Sequence, residues 1–253
     1  MYDNVKRLMD IDFIYLDLIL VSIWILLLVI RKHFKALLFG VFGFGVVFFT
    51  DDVLWFHLKG TRHIDAPIQP DLFLLYFSFT YGMIMFSYAP IMFDEKVSPI
   101  EKVLWSIFMY GGWLTIALLS QYISWNDTAI VISRDMSNSR IGQIIMLSIG
   151  YLVLILLKAL NWKLFKKIPW WYFGYLFLVG IFIHFSMEST LWIANIRPSH
   201  WDVLLFNSLV EFNTGIPILY FLWVIISRKD YLLQLQETEE KQIQPQHQIE
   251  ASN

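Results

Sequence analysis

Residues 12–30 read DFIYLDLILVSIWILLLVI: two carboxylates and one serine in an otherwise aliphatic and aromatic run. As a helix rising ~1.5 Å per residue, such a run crosses a hydrocarbon layer of ~30 Å. Six more runs of this kind follow, at 37–58, 71–93, 103–123, 141–160, 171–194 and 202–226. The first run follows Lys6 and Arg7 but has no small-residue cleavage site, so it reads as a retained helix and not as a signal peptide. The fold class expected is therefore all-α, a polytopic membrane protein with seven transmembrane helices over residues 1–230. Residues 231–253 turn to Gln, Glu and Lys and read as a polar, disordered tail.

Composition agrees. Of 253 residues 57% are apolar, 18% aromatic and only 16% charged, more apolar matter than one soluble core of this length requires. Nineteen basic residues nearly balance twenty-one acidic ones, so no nucleic-acid partner is expected. The partners expected are the lipid bilayer and a hydrophobic small molecule. The absence of cysteine removes disulfides, iron–sulfur clusters and thiol catalysis.

Orientation follows from lysine and arginine. With seven crossings, Lys6, Arg7, Lys59, Arg62, Arg134, Arg140 and Arg197 share the side of the amino terminus, and the other twelve basic residues lie opposite. That excess places the carboxyl terminus in the cytosol and the amino terminus outside or in a lumen. The longest connection, about 124–140, then faces outward and carries the sequon Asn126-Asp127-Thr128. A faint internal repeat also runs through the chain. Asp51-Asp52-Val53-Leu54-Trp55 answers Glu188-Ser189-Thr190-Leu191-Trp192, Phe79-Thr80-Tyr81-Gly82 answers Phe212-Asn213-Thr214-Gly215, and Phe39-Gly40 answers Phe173-Gly174. Two parallel three-helix units joined by one linker helix would produce these nearly equal offsets.

The acids are the chief functional signal, because a carboxylate deep in a bilayer costs about 2.5–3.5 kcal/mol and is driven to face protein or water. Asp17, Asp51, Asp52, Glu188 and Glu211 all fall roughly 8–14 Å below the amino-terminal side when counted along their helices. Asp51 and Asp52 point ~100° apart, so one of them faces a shared cavity; Trp55, three positions on, favours Asp52. His184 and Glu188 share a helix face, as do Asn207 and Glu211, with Asn213 nearby and Tyr81 on the third helix. Pro217 is expected to kink the seventh helix beside the acid.

Much chemistry can be struck off. Only His184 is deeply intramembrane, so paired haem ligation is excluded, and the seventh helix has no lysine for a retinal Schiff base. Asp51-Asp52 lacks the third acid of a DDxxD diphosphate–metal motif. No nucleophile elbow, HExxH or Walker loop occurs. No metal and no other cofactor is expected. What remains is proton chemistry by carboxyl groups in a dry aromatic cavity, where a desolvated carboxyl keeps its proton at neutral pH and can deliver it.

The segment Asp52-Val53-Leu54-Trp55, together with Glu211-Phe212-Asn213-Thr214-Gly215 and the aromatic run Leu219-Tyr220-Phe221-Leu222-Trp223, resembles a known family. The chain is similar in length and helix layout to the small seven-helix transmembrane terpene cyclases of paxilline type. That family has Glu on helix two, preceded by Trp, and Asp on helix seven, where this chain has Asp52 after Asp51, and Glu211. The resemblance implies that Asp52 and Glu211 are catalytic in proton-initiated cyclisation of an isoprenoid. Asp51, Trp55, Tyr81, His184, Glu188, Asn207 and Asn213 would then bind substrate. The rival expectation is a proton-coupled small-molecule transporter of the three-plus-one-plus-three type, which the repeat suits.

Overall fold

The computed structural model describes residues 4–135, 140–198 and 201–227. The tail expected at 231–253 lies outside the described residues. Seven helices are long and apolar enough to cross a membrane: α1 (Ile11–Ile30), α2 (Phe34–Leu58), α3 (Pro70–Phe93), α4 (Pro99–Ser120), α5 (Arg140–Ala159), α6 (Trp171–Ile193) and α7 (Val203–Ser227). Each bound lies within four residues of the apolar runs, and local chemistry sets them. Asp10 caps α1 by accepting from the Phe13 N–H at 3.1 Å, and Ser98 caps α4 by accepting from the Glu101 N–H at 3.2 Å, ahead of Pro99. Beyond the carboxyl ends of α1, α5 and α6 stand Lys32, Asn161 and Asn195, with φ of 59°, 54° and 57°. These left-handed residues turn the chain out of each helix.

The all-α expectation needs one correction. Three short strands, β1 (Asn4–Asp10), β2 (Arg62–Asp65) and β3 (Ala129–Asp135), form an antiparallel sheet of order β1-β3-β2. They come from the amino terminus, the α2–α3 connection and the α4–α5 connection, which therefore sit together at one end of the bundle. Asp12, at the start of α1, accepts from the backbone N–H groups of Trp125 (2.9 Å) and Asn126 (3.0 Å) and so holds the approach to β3 beside β1. Strand alternation then sorts the side chains. Arg7 and Met9 of β1, Ile130 and Ile132 of β3, and Arg62 of β2 are buried, whereas Lys6, Leu8 and His63 are exposed. The sheet is a lid with a cationic underside.

Within the bundle α3 is the most enclosed helix and α5 the least. Trp24 of α1 is fully buried, stacks on Phe108 of α4 and donates its indole N–H to Ser87 of α3 at 2.8 Å. Helices α2 and α3 touch through glycine. A Cβ on Gly43 would meet the Gly82 carbonyl oxygen at 2.7 Å, and one on Gly82 would meet the Phe44 nitrogen at 2.5 Å. Close backbone approach through small residues is the usual way to join helices in lipid, where burying apolar surface brings no gain. The outer surfaces are themselves apolar, with Leu26, Ile107, Leu152 and Leu178 all exposed.

Candidate functional site

Two helices depart from α-geometry where their acids lie. In α2 the stretch Phe49–Leu58 is π-helical and contains Asp51 and Asp52. In α7 a π turn, Asn207–Glu211, runs into a 3-10 turn, Phe212–Thr214, just before Pro217. Proline at 217 has no N–H to give the carbonyl four residues back, which explains why the regular ladder breaks there. Two side chains fold back onto carbonyls of this stretch: Asn213 donates to Leu209 O at 3.0 Å and Thr214 to Glu211 O at 2.8 Å. π-bulges of this kind recur at functional sites, since the extra residue re-aims a side chain.

Between α2, α3, α5, α6, α7 and the sheet lies a chamber of about 640 Å³. Asp51, Glu211, His184 and Tyr81 line it, and so do Arg7, Arg62, Arg134 and Arg197. The carboxylates are matched to guanidiniums. Asp51 accepts from Arg62 Nη1 at 2.9 Å, and Glu211 pairs with Arg134 through one oxygen while the other lies 3.4 Å from His184 Nε2. Behind the wall, Glu188 is shared by Arg197 (2.8 Å) and Arg7 (3.4 Å). The left-handed Asn195 makes that sharing possible, because it turns the chain so that Ile196 O accepts from Leu8 N of β1 at 2.7 Å. Aromatic faces complete the cluster. Arg134 lies 4.1 Å over Trp55, while Arg62 and Arg7 flank the same Phe77 ring at 4.8 and 5.4 Å.

Four guanidiniums face three carboxylates here, and burial and neighbours shift the arginines unequally. Burial, with the neighbouring Arg134 and Arg7, outweighs Asp51 and pushes Arg62 down to about 10. Burial likewise pushes Arg197 down to about 10, against the pull of Glu188. Burial also works against Arg7, but Tyr81, Glu188, Glu211 and Asp51 hold it above its ordinary value.

The residues singled out from sequence fall into two groups. Asp51, Trp55, Tyr81, His184 and Glu211 line the chamber together. Asp52 does not, and the choice between the two aspartates is corrected. The side chain of Asp52 lies 3.7 Å from His57 Nε2, which also contacts Asp71 at 2.8 Å. Donor atoms of Asp52, His57 and Asp71 sit within 4.8 Å of one another, away from the chamber wall. Glu188, Asn207 and Asn213 are also placed off the wall. Asn213 packs on Gly180 and accepts from Tyr151 at 3.2 Å, a structural role, and Asn207 is buried in the π turn. Asp51, Glu188 and Glu211 each contact an arginine, a partnership the sequence reading did not anticipate.

The four arginines are what sequence reading passed over, having used them only to count charge for orientation. A signal was present. The amino-terminal side holds five arginines and two lysines, whereas the opposite side holds two arginines and ten lysines. Arginine, planar and weakly hydrated, is the cation suited to buried pairs. No family model, no curated protein and no solved structure matches the chain.

Proposed function

We propose that this is a multi-pass membrane enzyme that draws a lipid-like substrate sideways into the chamber and transfers protons on it through His184 and Glu211. The observation that carries this reading is the contrast between mouth and interior. The chamber wall includes the exposed apolar residues Val46 of α2, Met146 of α5 and Ile218 of α7, and further in it reaches the His184–Glu211 pair. An apolar mouth between helices suits a ligand arriving from lipid. An imidazole beside a carboxylate is a standard acid–base unit, the carboxylate orienting the ring and stabilising its charged form. Arg134 holds Glu211 as the orienting partner.

Proton-initiated cyclisation, as in the transmembrane terpene cyclases that the chain resembles, belongs to this class of chemistry. An acid on α2 and an acid on α7 line one cavity, with Asp51 in place of Asp52. The four guanidiniums refine that reading. They oppose an uncompensated carbocation and favour a step in which the substrate bears or develops negative charge. Topology supports the membrane setting. Of the seven basic residues on the amino-terminal side, only Lys6 and Lys59 are exposed, so little positive surface remains there to hold an anionic cytosolic leaflet. This supports the reading in which the sheet lies on the non-cytosolic face.

Purified membranes given prenylated and epoxidised lipids, with product followed by mass spectrometry, test the proposal. Glu211→Gln and His184→Gln should each lower turnover at least about a hundredfold, the usual worth of a positioned acid or base, with protein levels unchanged. Undiminished turnover in both would remove the pair from the mechanism. Proton-driven accumulation in sealed vesicles, with no chemical change, would instead establish the transporter reading.

A further inference from the structure

The guanidiniums are only partly used. Arg7 Nη1, Arg62 Nε and Arg197 Nη1 are buried and have no hydrogen-bond partner among the described residues. Their side chains are 10%, 5% and 6% exposed, and all three residues line the chamber. A buried N–H without a partner is costly, more so on a charged group, so three in one place need an acceptor. The charges agree. Arg7, Arg62, Arg134 and Arg197 exceed Asp51, Glu188 and Glu211 by one positive charge, and Lys59 also reaches the wall. Beyond this cationic end, the wall turns apolar toward Val46, Met146 and Ile218.

We infer that the arginine cluster is the seat of an oxyanionic head group, and that the ligand is an amphiphile: one phosphate or carboxylate under the sheet, with its chain running toward the lateral mouth. The inference rests on the reading of the chamber as a lipid-substrate site and names the substrate's polar end. An oxyanion accepts from several N–H groups at once, which a neutral alcohol or amide oxygen does less well. It also supplies the negative charge that three carboxylates leave short. Fatty acids, prenyl phosphates and membrane phospholipids share this chemistry.

The test is thermal stabilisation of the purified full chain in an uncharged maltoside detergent, with four probes: dodecyl phosphate, dodecanoate, dodecanol and inorganic phosphate. A saturable rise in unfolding midpoint with either charged amphiphile, and not with dodecanol or phosphate alone, is the expected result. Arg7→Gln should weaken that binding roughly tenfold or more, the worth of one charge-assisted hydrogen bond. Arg62→Gln strands Asp51 and can unfold the chain for that reason alone. The double variant Arg62→Gln with Asp51→Asn removes the pair together and should show the same loss of binding. Equal stabilisation by dodecanol overturns the head-group assignment while leaving the apolar chamber standing. Equal stabilisation by inorganic phosphate overturns the amphiphile. Head-group binding that survives Glu211→Gln while turnover is lost separates this inference from the catalytic reading.

Discussion

Gly82 and Arg134 show how much a single position can carry. At Gly82 the backbone of α2 lies so close that any Cβ would press on Phe44 N and Cα, at 2.5 and 2.6 Å. Backbone cannot swing aside as a side chain can, so Gly82→Ala is expected to cost about 1–3 kcal/mol or more, as overpacking does. Gly45→Ala, where nothing lies within 4 Å, is the matched control and should be near neutral. Detergent-resistance melts of the two variants check this, and equal midpoints would mean that α2 and α3 are not joined at Gly82. At Arg134 one side chain pairs with Glu211 and covers Trp55. Burial of such a group was partly legible, since arginine in place of lysine on one side of the chain is a chemical choice. Its partner was not, because Glu211 is 77 residues away and on another element.

At the scale of elements, the helices follow from apolar runs and their caps, whereas the sheet depends on pairing at a distance. β3 does alternate, with Ile130 and Ile132 buried and Ala129 and Asp135 exposed, but seven residues of alternation carry little signal alone. Its partners lie far off in sequence, so a loop was the natural reading of 124–140. β3 is central, pairing Ile132 with Arg7 on one side and with Ile64 on the other, and Arg134 with Arg62. Opposed arginines repel and are tolerated because Glu211 and Asp51 each hold one. Val131→Pro removes a ladder N–H from this middle strand and should unzip the lid. Trypsin would then cut after Arg134 and Arg7, which the intact sheet protects; an unchanged digest would show that the strand is dispensable. The π stretches of α2 and α7 were likewise hidden. Pro217 announced a disturbance in α7, but nothing in Phe49–Leu58 announced one in α2.

For the whole molecule, the arrangement turns on which end faces which compartment. The cysteine-free chain suits labelling of single introduced cysteines. His63→Cys and Lys59→Cys, exposed at the sheet end, are expected to react in intact cells or lumen-out vesicles with a membrane-impermeant maleimide. Lys35→Cys and Lys166→Cys, exposed at the opposite end, should react only after permeabilisation. The reverse pattern would invert the proposed orientation. Seven long apolar runs, their ends, and the acids set within them were determined by sequence alone, because hydropathy and capping act over a few neighbouring residues. Which aspartate faces the chamber, and that arginines from a three-stranded lid meet the acids, was decided only by tertiary structure. Those contacts join residues far apart in the chain, where local composition has no influence on direction or distance.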